Sequence, residues 1–398
     1  MDSRRGFFAA VAAVVVLFMA ASSAPTPLYV VYQQLWGFTP TVLTVVFAIY
    51  VFGLLASLLV VGSLSDHIGR RPVLAGAIVL EAVALVLFVL AGDVVVLSAA
   101  RLLQGIATGA AITTLGAALT DLERTPGRAG LVNSLAAPGG LALGALGCGV
   151  LVQYGPEPTR FVYALLIGGM GAAAVIVALM PETAVLADRG GRRPAAVASL
   201  RPVVGVPAHL RADLVPIVPV LVASWALTGL YLSLGPSVVA AIFGLHDHVA
   251  GGLVVTLFCG AGAVTAFLVR RRSALSLLAP SAALLGAGTL TTVVAVSTNL
   301  LPLAALGTLV AGTGFGAAAL ATFGTFARIA APHERGALLA VAFTVAYLAF
   351  SVPALVAGFA STAFGLRATA EVYALVIVAL TIAALVLRLR RPALQPTS

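Results

Sequence analysis

Apolar residues fill this chain in stretches of about twenty, separated by short polar clusters, and about 20 apolar residues is the length a helix needs to cross a bilayer. Runs of that kind occur at residues 7–29, 41–61, 73–91, 96–119, 130–152 and 161–180. They resume after a break at 214–234, 249–269, 275–296, 301–326, 337–360 and 372–388. The pattern predicts an all-α membrane protein of twelve transmembrane helices, six on each side of the break. The break holds five arginines among several prolines and glycines and reads as an exposed segment. The expected division is an N-terminal six-helix bundle over 1–181, a cytoplasmic basic linker over 182–212 and a C-terminal six-helix bundle over 213–398.

Composition agrees with lipid as the solvent: 61% of residues are hydrophobic and 9% are charged, which excludes an ordinary soluble domain. All 22 basic residues are arginine. The absence of lysine removes a phosphate-binding P-loop and a Schiff-base lysine together. The net charge of +9 would suggest nucleic acid in a soluble protein, but the arginines are scattered through short loops, and no nucleic-acid partner is expected. They gather at one membrane face. Arg4, Arg5, Arg70, Arg71, Arg124, Arg128, the linker arginines, Arg270 to Arg272, Arg328, Arg335, Arg388, Arg390 and Arg391 lie on that side, against Arg160 and Arg367 on the other. The rich side is cytoplasmic by the positive-inside rule, so both termini are expected in the cytoplasm and the protein in a bacterial inner membrane. The start imitates a secretory signal, yet Pro25 directly follows its small-residue site and removal would leave an odd number of spans. It is read as the first helix.

An offset of 207 residues superposes Gly37 on Gly244, Gly53 on Gly260, Gly105 on Gly312, Gly109 on Gly316 and Arg128 on Arg335. The pairs Gly105/Gly109 and Gly312/Gly316 fall in the fourth and tenth spans, as an internal repeat of two parallel halves requires.

The densest polar cluster of the first hundred residues is Gly62-x-Leu64-x-Asp66-x-x-Gly69-Arg70-Arg71-x-x-Leu74. Ionised groups are costly inside a bilayer, so this turn lies at a membrane face. Glycine at 62 permits close helix approach, Gly69 suits a left-handed turn, and Asp66 can cap a helix. Arg70 needs an acid, and Asp121 at the end of the fourth span lies at a matching depth. The run closely resembles the signature loop between the second and third helices of the major facilitator superfamily. That resemblance implies two six-helix bundles with a site between them, and a latch of Gly62, Asp66, Gly69, Arg70, Arg71 and Asp121 that holds one gate shut in one of two states. His67 replaces a basic residue usual in the family, making one arm of the latch a candidate for pH dependence. A positive-inside turn without gating is the plainer alternative. The second half lacks these residues: Arg270, Arg271 and Arg272 stand there without the aspartate, so gating by this loop is expected to be asymmetric.

Within the spans, Arg101-x-x-Gln104-Gly105 resembles the superfamily's Arg-x-x-Gln-Gly motif, associated there with proton coupling. Arg101 lies ~8–10 Å below the end of its span, near enough to snorkel instead. Glu81 is the one carboxylate deep in any span, ~15 Å from the end of the third helix and within reach of Arg101. A carboxylate near an arginine can switch between protonated and ion-paired forms, the minimum needed to couple to a proton gradient, while a static ion pair is the competing reading. Gly144 to Gly149 in the fifth span resembles a motif of drug and metabolite exporters, with Ala145 in place of proline, though small residues at helical spacing also serve as packing surfaces. Pro25-Thr26-Pro27 is expected to break the first helix.

By family resemblance the first, fourth, seventh and tenth helices line the pathway. Cavity candidates are Tyr29, Tyr32, Gln33, Gln104, Trp225, Tyr231, Phe315 and Phe323, with Asn133 and Tyr347 on the fifth and eleventh helices, a set that suits a small amphipathic or aromatic compound. Each aromatic taken singly also fits helix packing. Arg101 admits an organic anion. No zinc-protease or serine-hydrolase motif occurs, and His246-Asp247-His248 reads as a solvated loop, so no metal, cofactor or enzyme activity is expected. Cys148 and Cys259 read as core residues. The expectation is a secondary active transporter working by alternating access, exporting small amphipathic or aromatic compounds against a proton gradient. A symporter or facilitator taking up a small metabolite, and a non-transporting scaffold, remain open. The expected partners are the substrate and the lipid bilayer, with the chain a monomer.

Overall fold

In a bilayer every backbone N–H and C=O must be bonded within the chain, which leaves helices as the economical solution for these apolar runs. The computed structural model describes residues 3–62, 64–125, 127–184, 205–331 and 334–390, and its elements there are helices with no strand. The first group comprises α1 (Ser3–Ser23), α2 (Pro25–Trp36), α3 (Pro40–Val61), α4 (Leu64–Ile68), α5 (Arg70–Leu90), α6 (Val94–Leu122), α7 (Arg128–Tyr154) and α8 (Phe161–Leu179). The second comprises α9 (Arg211–Leu214), α10 (Val218–Ser233), α11 (Gly235–Phe243), α12 (His248–Val269), α13 (Ala274–Thr298), α14 (Leu301–Ile329), α15 (Arg335–Phe364) and α16 (Leu366–Arg390). Among the described residues, 11 helices are long and apolar enough to cross a membrane, and a bent pair, Ala208–Leu214 with Val218–Ser233, supplies a twelfth.

Two spans differ from the sequence reading. The prolines at 25 and 27 divide α1 from α2 at Ala24 without ending the span: Ala24 keeps right-handed helical angles and the span continues to Trp36. Proline is tolerated in the first turn of a helix because its missing N–H is one of the unpaired donors there anyway. The seventh span, read as one run over 214–234, is instead bent by 62° before Val218 and followed by a separate helix to Phe243. Pro216 and Pro236 stand at those two junctions, where their rings interrupt the hydrogen-bond ladder.

The chain forms two compact units, Met1–Gly37 with Val46–Pro202 and Phe38–Val45 with Val203–Ser398. Within the first, α1 packs on α7, and α5 packs on both α6 and α8. Within the second, α10 packs on α15, and α13 packs on both α14 and α16. The same three pairings thus recur: first helix on fifth, third on fourth, third on sixth. Three of the four glycine pairs set 207 residues apart have matching roles. Gly37 and Gly244 both take left-handed angles (φ 66° and 69°) and end α2 and α11. A Cβ at Gly105 or Gly109 would overlap the Tyr50 or Leu54 carbonyl of α3, and one at Gly312 or Gly316 would overlap the Phe258 or Gly262 carbonyl of α12. Without those side chains the helices close to backbone contact.

Of the segment expected as a linker over 182–212, residues 185–204 lie outside the described residues. Its described ends belong to the bundles: Glu182 and Thr183 bond to the first, and Leu210 packs in the core of the second.

Candidate functional site

The loop between α3 and α5 forms its cluster around Arg70, whose side chain is 9% exposed. Its guanidinium pairs with Asp66, one helical turn earlier, donates from Nε to Asp121 Oδ2 at 3.2 Å and from Nη1 to Ser65 Oγ at 2.6 Å. Asp66 thus serves Arg70 from the first turn of α4. The positive end of α5 is capped instead by Glu182, which follows α8: its Oε1 accepts from Arg70 N at 2.8 Å and its Oε2 from Arg71 N at 3.1 Å. Thr183 completes the ring, donating to Asp121 Oδ2 at 2.9 Å.

Gly69 makes the cap possible. Its angles (φ 107°, ψ 153°) lie in a region open essentially to glycine; Gly69 closes α4, its N–H donating to Ser65 O at 3.2 Å, and the same residue begins α5. A Cβ there would stand 2.6 Å from Glu182 Oε2. The close approach expected of Gly62 is not seen: its nearest obstacle is the Leu58 carbonyl of its own helix, with Thr113 of α6 only in ordinary contact at 3.7 Å. The Arg71 guanidinium turns to the backbone, donating to Ala178 O at the last turn of α8 at 2.6 Å.

Burial alone raises the Glu182 carboxyl, but the N–H groups of Ala184, Arg70, Arg71 and Thr183 outweigh it and hold it below its usual 4.5. A carboxyl lowered in the folded state adds stability that is present above its unfolded value and lost as pH falls through its folded value. Glu182→Gln is expected to cost about 1 kcal/mol at neutral pH, the usual size of a lost helix cap. Thermal unfolding of both proteins checks this: the gap in Tm should be widest at neutral pH and close as pH falls below the usual 4.5 and through the lowered folded value.

A second cluster lies wholly within the first unit. On α6, Arg101, Gln104 and Thr108 share a face by their spacing and are all buried. Arg101, 1% exposed, does not snorkel. Its Nη2 and Nε donate to the Tyr29 hydroxyl (Nε at 2.7 Å), and its Nη1 donates to Ser22 O at 3.0 Å and to Gln104 Oε1 at 2.7 Å. Its guanidinium also faces the rings of Tyr29 and Tyr50, 5.3 and 4.9 Å from their centroids. Gln104 Nε2 donates onward to Glu81 Oε1 at 3.0 Å and to Ala21 O at 3.1 Å. Pro25 has no N–H to give the Ala21 carbonyl four residues back, so the proline pair creates the acceptor that Gln104 fills. Glu81 is fully buried and bonds to Arg101 only through this amide; its Oε2 has no partner among the described residues. Tyr32, also buried, donates to Tyr163 at 3.2 Å and stacks on Trp36. Gln33 is half-buried on α2, and Asn133 is half-buried on α7 beside Gly116 of α6.

The candidates of the second unit separate into two groups. Trp225, Phe323 and Tyr347 meet in an aromatic cluster that includes Phe343 and Phe350, with Trp225 5.0 Å from Tyr347, 5.8 Å from Phe350 and 6.2 Å from Phe323 between ring centres. The shielded Trp225 indole N–H has no acceptor among the described residues. Tyr231 and Phe315 instead sandwich Phe258, at 4.4 and 5.2 Å, and the Tyr231 hydroxyl meets Thr308 at 3.0 Å. Asp247 caps α12, accepting from Val249 N at 2.7 Å, and no group of potential metal ligands occurs among the described residues.

Comparison with known proteins agrees with this architecture. A search of curated sequences gave no match. A bacterial homologue of the human lysosomal transporter Spinster, in an inward-facing and occupied conformation, superposes with a TM-score of 0.75 at 13% identity, covering 98% of this chain and 97% of that one. A mutant of the nucleoside transporter NupG gives 0.74 at 11% identity over 96% and 99%, and the human organic anion transporter MFSD10 (TETRAN) gives 0.65 at 16% over 96% and 100%. At these identities the likeness is one of fold. The sequence itself matches the Major Facilitator Superfamily over residues 11–353, and the chain belongs to that family as a multi-pass membrane protein and a secondary transporter.

Proposed function

We propose that this transporter exports small amphipathic or aromatic compounds from a bacterial cytoplasm by alternating access, driven by proton entry through Glu81. The observation that carries the coupling is the buried chain Glu81–Gln104–Arg101–Tyr29. A carboxylate held at membrane depth is expensive, and here its protonation changes the charge of a site whose neighbours are a neutral amide and a guanidinium. Tyr29, Ser22 and Gln104 engage the donors of Arg101, which argues against Arg101 as the receptor for an organic anion substrate. The aromatic cluster around Trp225, with its unspent indole donor, supports a flat or amphipathic substrate carrying an acceptor. The Arg70 cluster serves as the gate at the cytoplasmic face, where the arginine-rich loops place both termini.

The experiment is accumulation of a panel of fluorescent lipophilic dyes in pump-deficient bacteria, with and without a protonophore. Export predicts lower dye content in expressing cells, reversed by the protonophore. Equal content across the panel would remove this substrate class and turn the search to metabolite uptake.

A further inference from the structure

Within the second unit, away from the Trp225 cluster, α10 to α14 and α16 enclose a cavity of about 230 Å³. It lies at the end of that unit where α13 connects to α14 and α15 to α16. Its walls are almost entirely aliphatic, with Leu230, Val254 and Val293 among them, and Leu253 and Leu301 also reach the surface, leaving it open to a ligand arriving from the bilayer. At this size it falls below the ~300–1,000 Å³ of sites for drug-sized molecules, and a short chain is what it accommodates.

Of the polar groups in this wall, Tyr231 and Thr308 bond to each other and Thr292 donates to Gly288 O, which leaves Thr289 and Glu371. Thr289 is 1% exposed, yet its hydroxyl has no partner among the described residues. Glu371, half-buried near the start of α16, lines the cavity and makes no hydrogen bond or ion pair among the described residues. The arginine one turn earlier does not answer it: Arg367 donates to Val296 O at 2.5 Å and to Asn299 Oδ1 at 2.6 Å. An unpaired, half-buried carboxylate beside an apolar chamber lacks one component, a cation that brings its own hydrocarbon.

We infer that this cavity is a binding site for a small lipophilic cation, with its alkyl body among the aliphatic walls and its charge on Glu371. An organic anion would meet that carboxylate, and a phospholipid chain alone would leave it unpaired. The site needs no ion gradient, so it stands or falls separately from the export reading.

The test is equilibrium binding of radiolabelled octyltrimethylammonium to the full protein in phosphatidylcholine nanodiscs, with empty nanodiscs subtracted. Wild type is expected to bind saturably, and Glu371→Gln, a near-isosteric change at a half-buried position, to weaken binding at least tenfold. Ala305→Phe, which fills the chamber from α14 and leaves the carboxylate, should abolish it, with size-exclusion profiles confirming that both variants stay folded. Excess octanesulfonate should not compete. The assignment is overturned if wild type shows no saturable binding or if Glu371→Gln binds like wild type. It is equally overturned if octanesulfonate or nonanol competes as well as the cation, which would mark a slot for any alkyl chain, or if Ala305→Phe binds normally, which would leave only a surface charge.

Discussion

Glu81→Gln is expected to abolish gradient-driven transport, lowering the accumulation ratio about 100-fold, while the protein remains folded and still exchanges substrate across the membrane. The magnitude follows from linkage: a coupling of 1–3 kcal/mol between two sites corresponds to roughly 5–150-fold. Removing the titrating group removes that term. Folding should survive because glutamine keeps an oxygen to accept the Gln104 amide, and the position it changes, Oε2, already lacks a partner. Reconstituted vesicles separate the possibilities. Uptake driven by an imposed pH gradient should vanish in the variant, while counterflow, which needs binding and interconversion but no coupling ion, should persist at near wild-type rate. Loss of both would make Glu81 a structural partner of Gln104, and retention of both would place proton entry elsewhere.

The legible and illegible parts of this molecule divide along a physical line. Bilayer thickness writes each span into about twenty consecutive residues, and the glycine pairs at 105/109 and 312/316 declare close packing by spacing alone. Depth pairs Arg70 with Asp121, because charged groups in a membrane protein can sit at only a few levels. Glu182 is not legible as a cap, because it follows the sixth span as one exposed polar residue and its role depends on α8 ending beside α5. A signal was present: α5 begins Gly69-Arg70-Arg71 with no serine, threonine or aspartate at its cap, so its first N–H groups needed an acceptor from elsewhere. Phe343 and Phe350 lie four residues before and three after Tyr347, and helical spacing puts them on its face. Phe258 gave no such sign, since its place between Tyr231 and Phe315 is fixed by three different helices. Nor does the bond from Gln104 to Ala21 follow from either residue; it follows from Pro25, read in the sequence only as a break.

Arg70→Lys is expected to reduce transport at least tenfold although it preserves the charge, and Arg70→Ala to cost more in stability than any other single change in this loop. The guanidinium works from two directions at once, Nε toward Asp121 and Nη1 toward Ser65 and Asp66. An ammonium presents its donors from one point and cannot span both acids. Alanine takes the shared partner from Ser65, Asp66 and Asp121, and because the Asp121 carboxylate is 30% exposed and keeps some water, the cost should be about 1.5–3 kcal/mol, the size of a charge-assisted hydrogen bond. Asp66 is different, since its carboxylate is 56% exposed. Water replaces much of what Asp66→Asn loses, so its effect on stability should stay within about 1 kcal/mol. If the cluster is a gate that must close and part, Asp66→Asn nonetheless loses transport, because the closed state depends on a small difference between two arrangements. Thermal unfolding and initial transport rates measured on the three variants decide the matter. Transport that tracks stability across the series would reduce the cluster to a fastening. Transport lost in Asp66→Asn and Arg70→Lys, with unfolding temperature nearly unchanged in the first, would identify a switch. Full activity in Arg70→Lys would mean that positive charge at this membrane face suffices, as it does in any loop that only sets orientation.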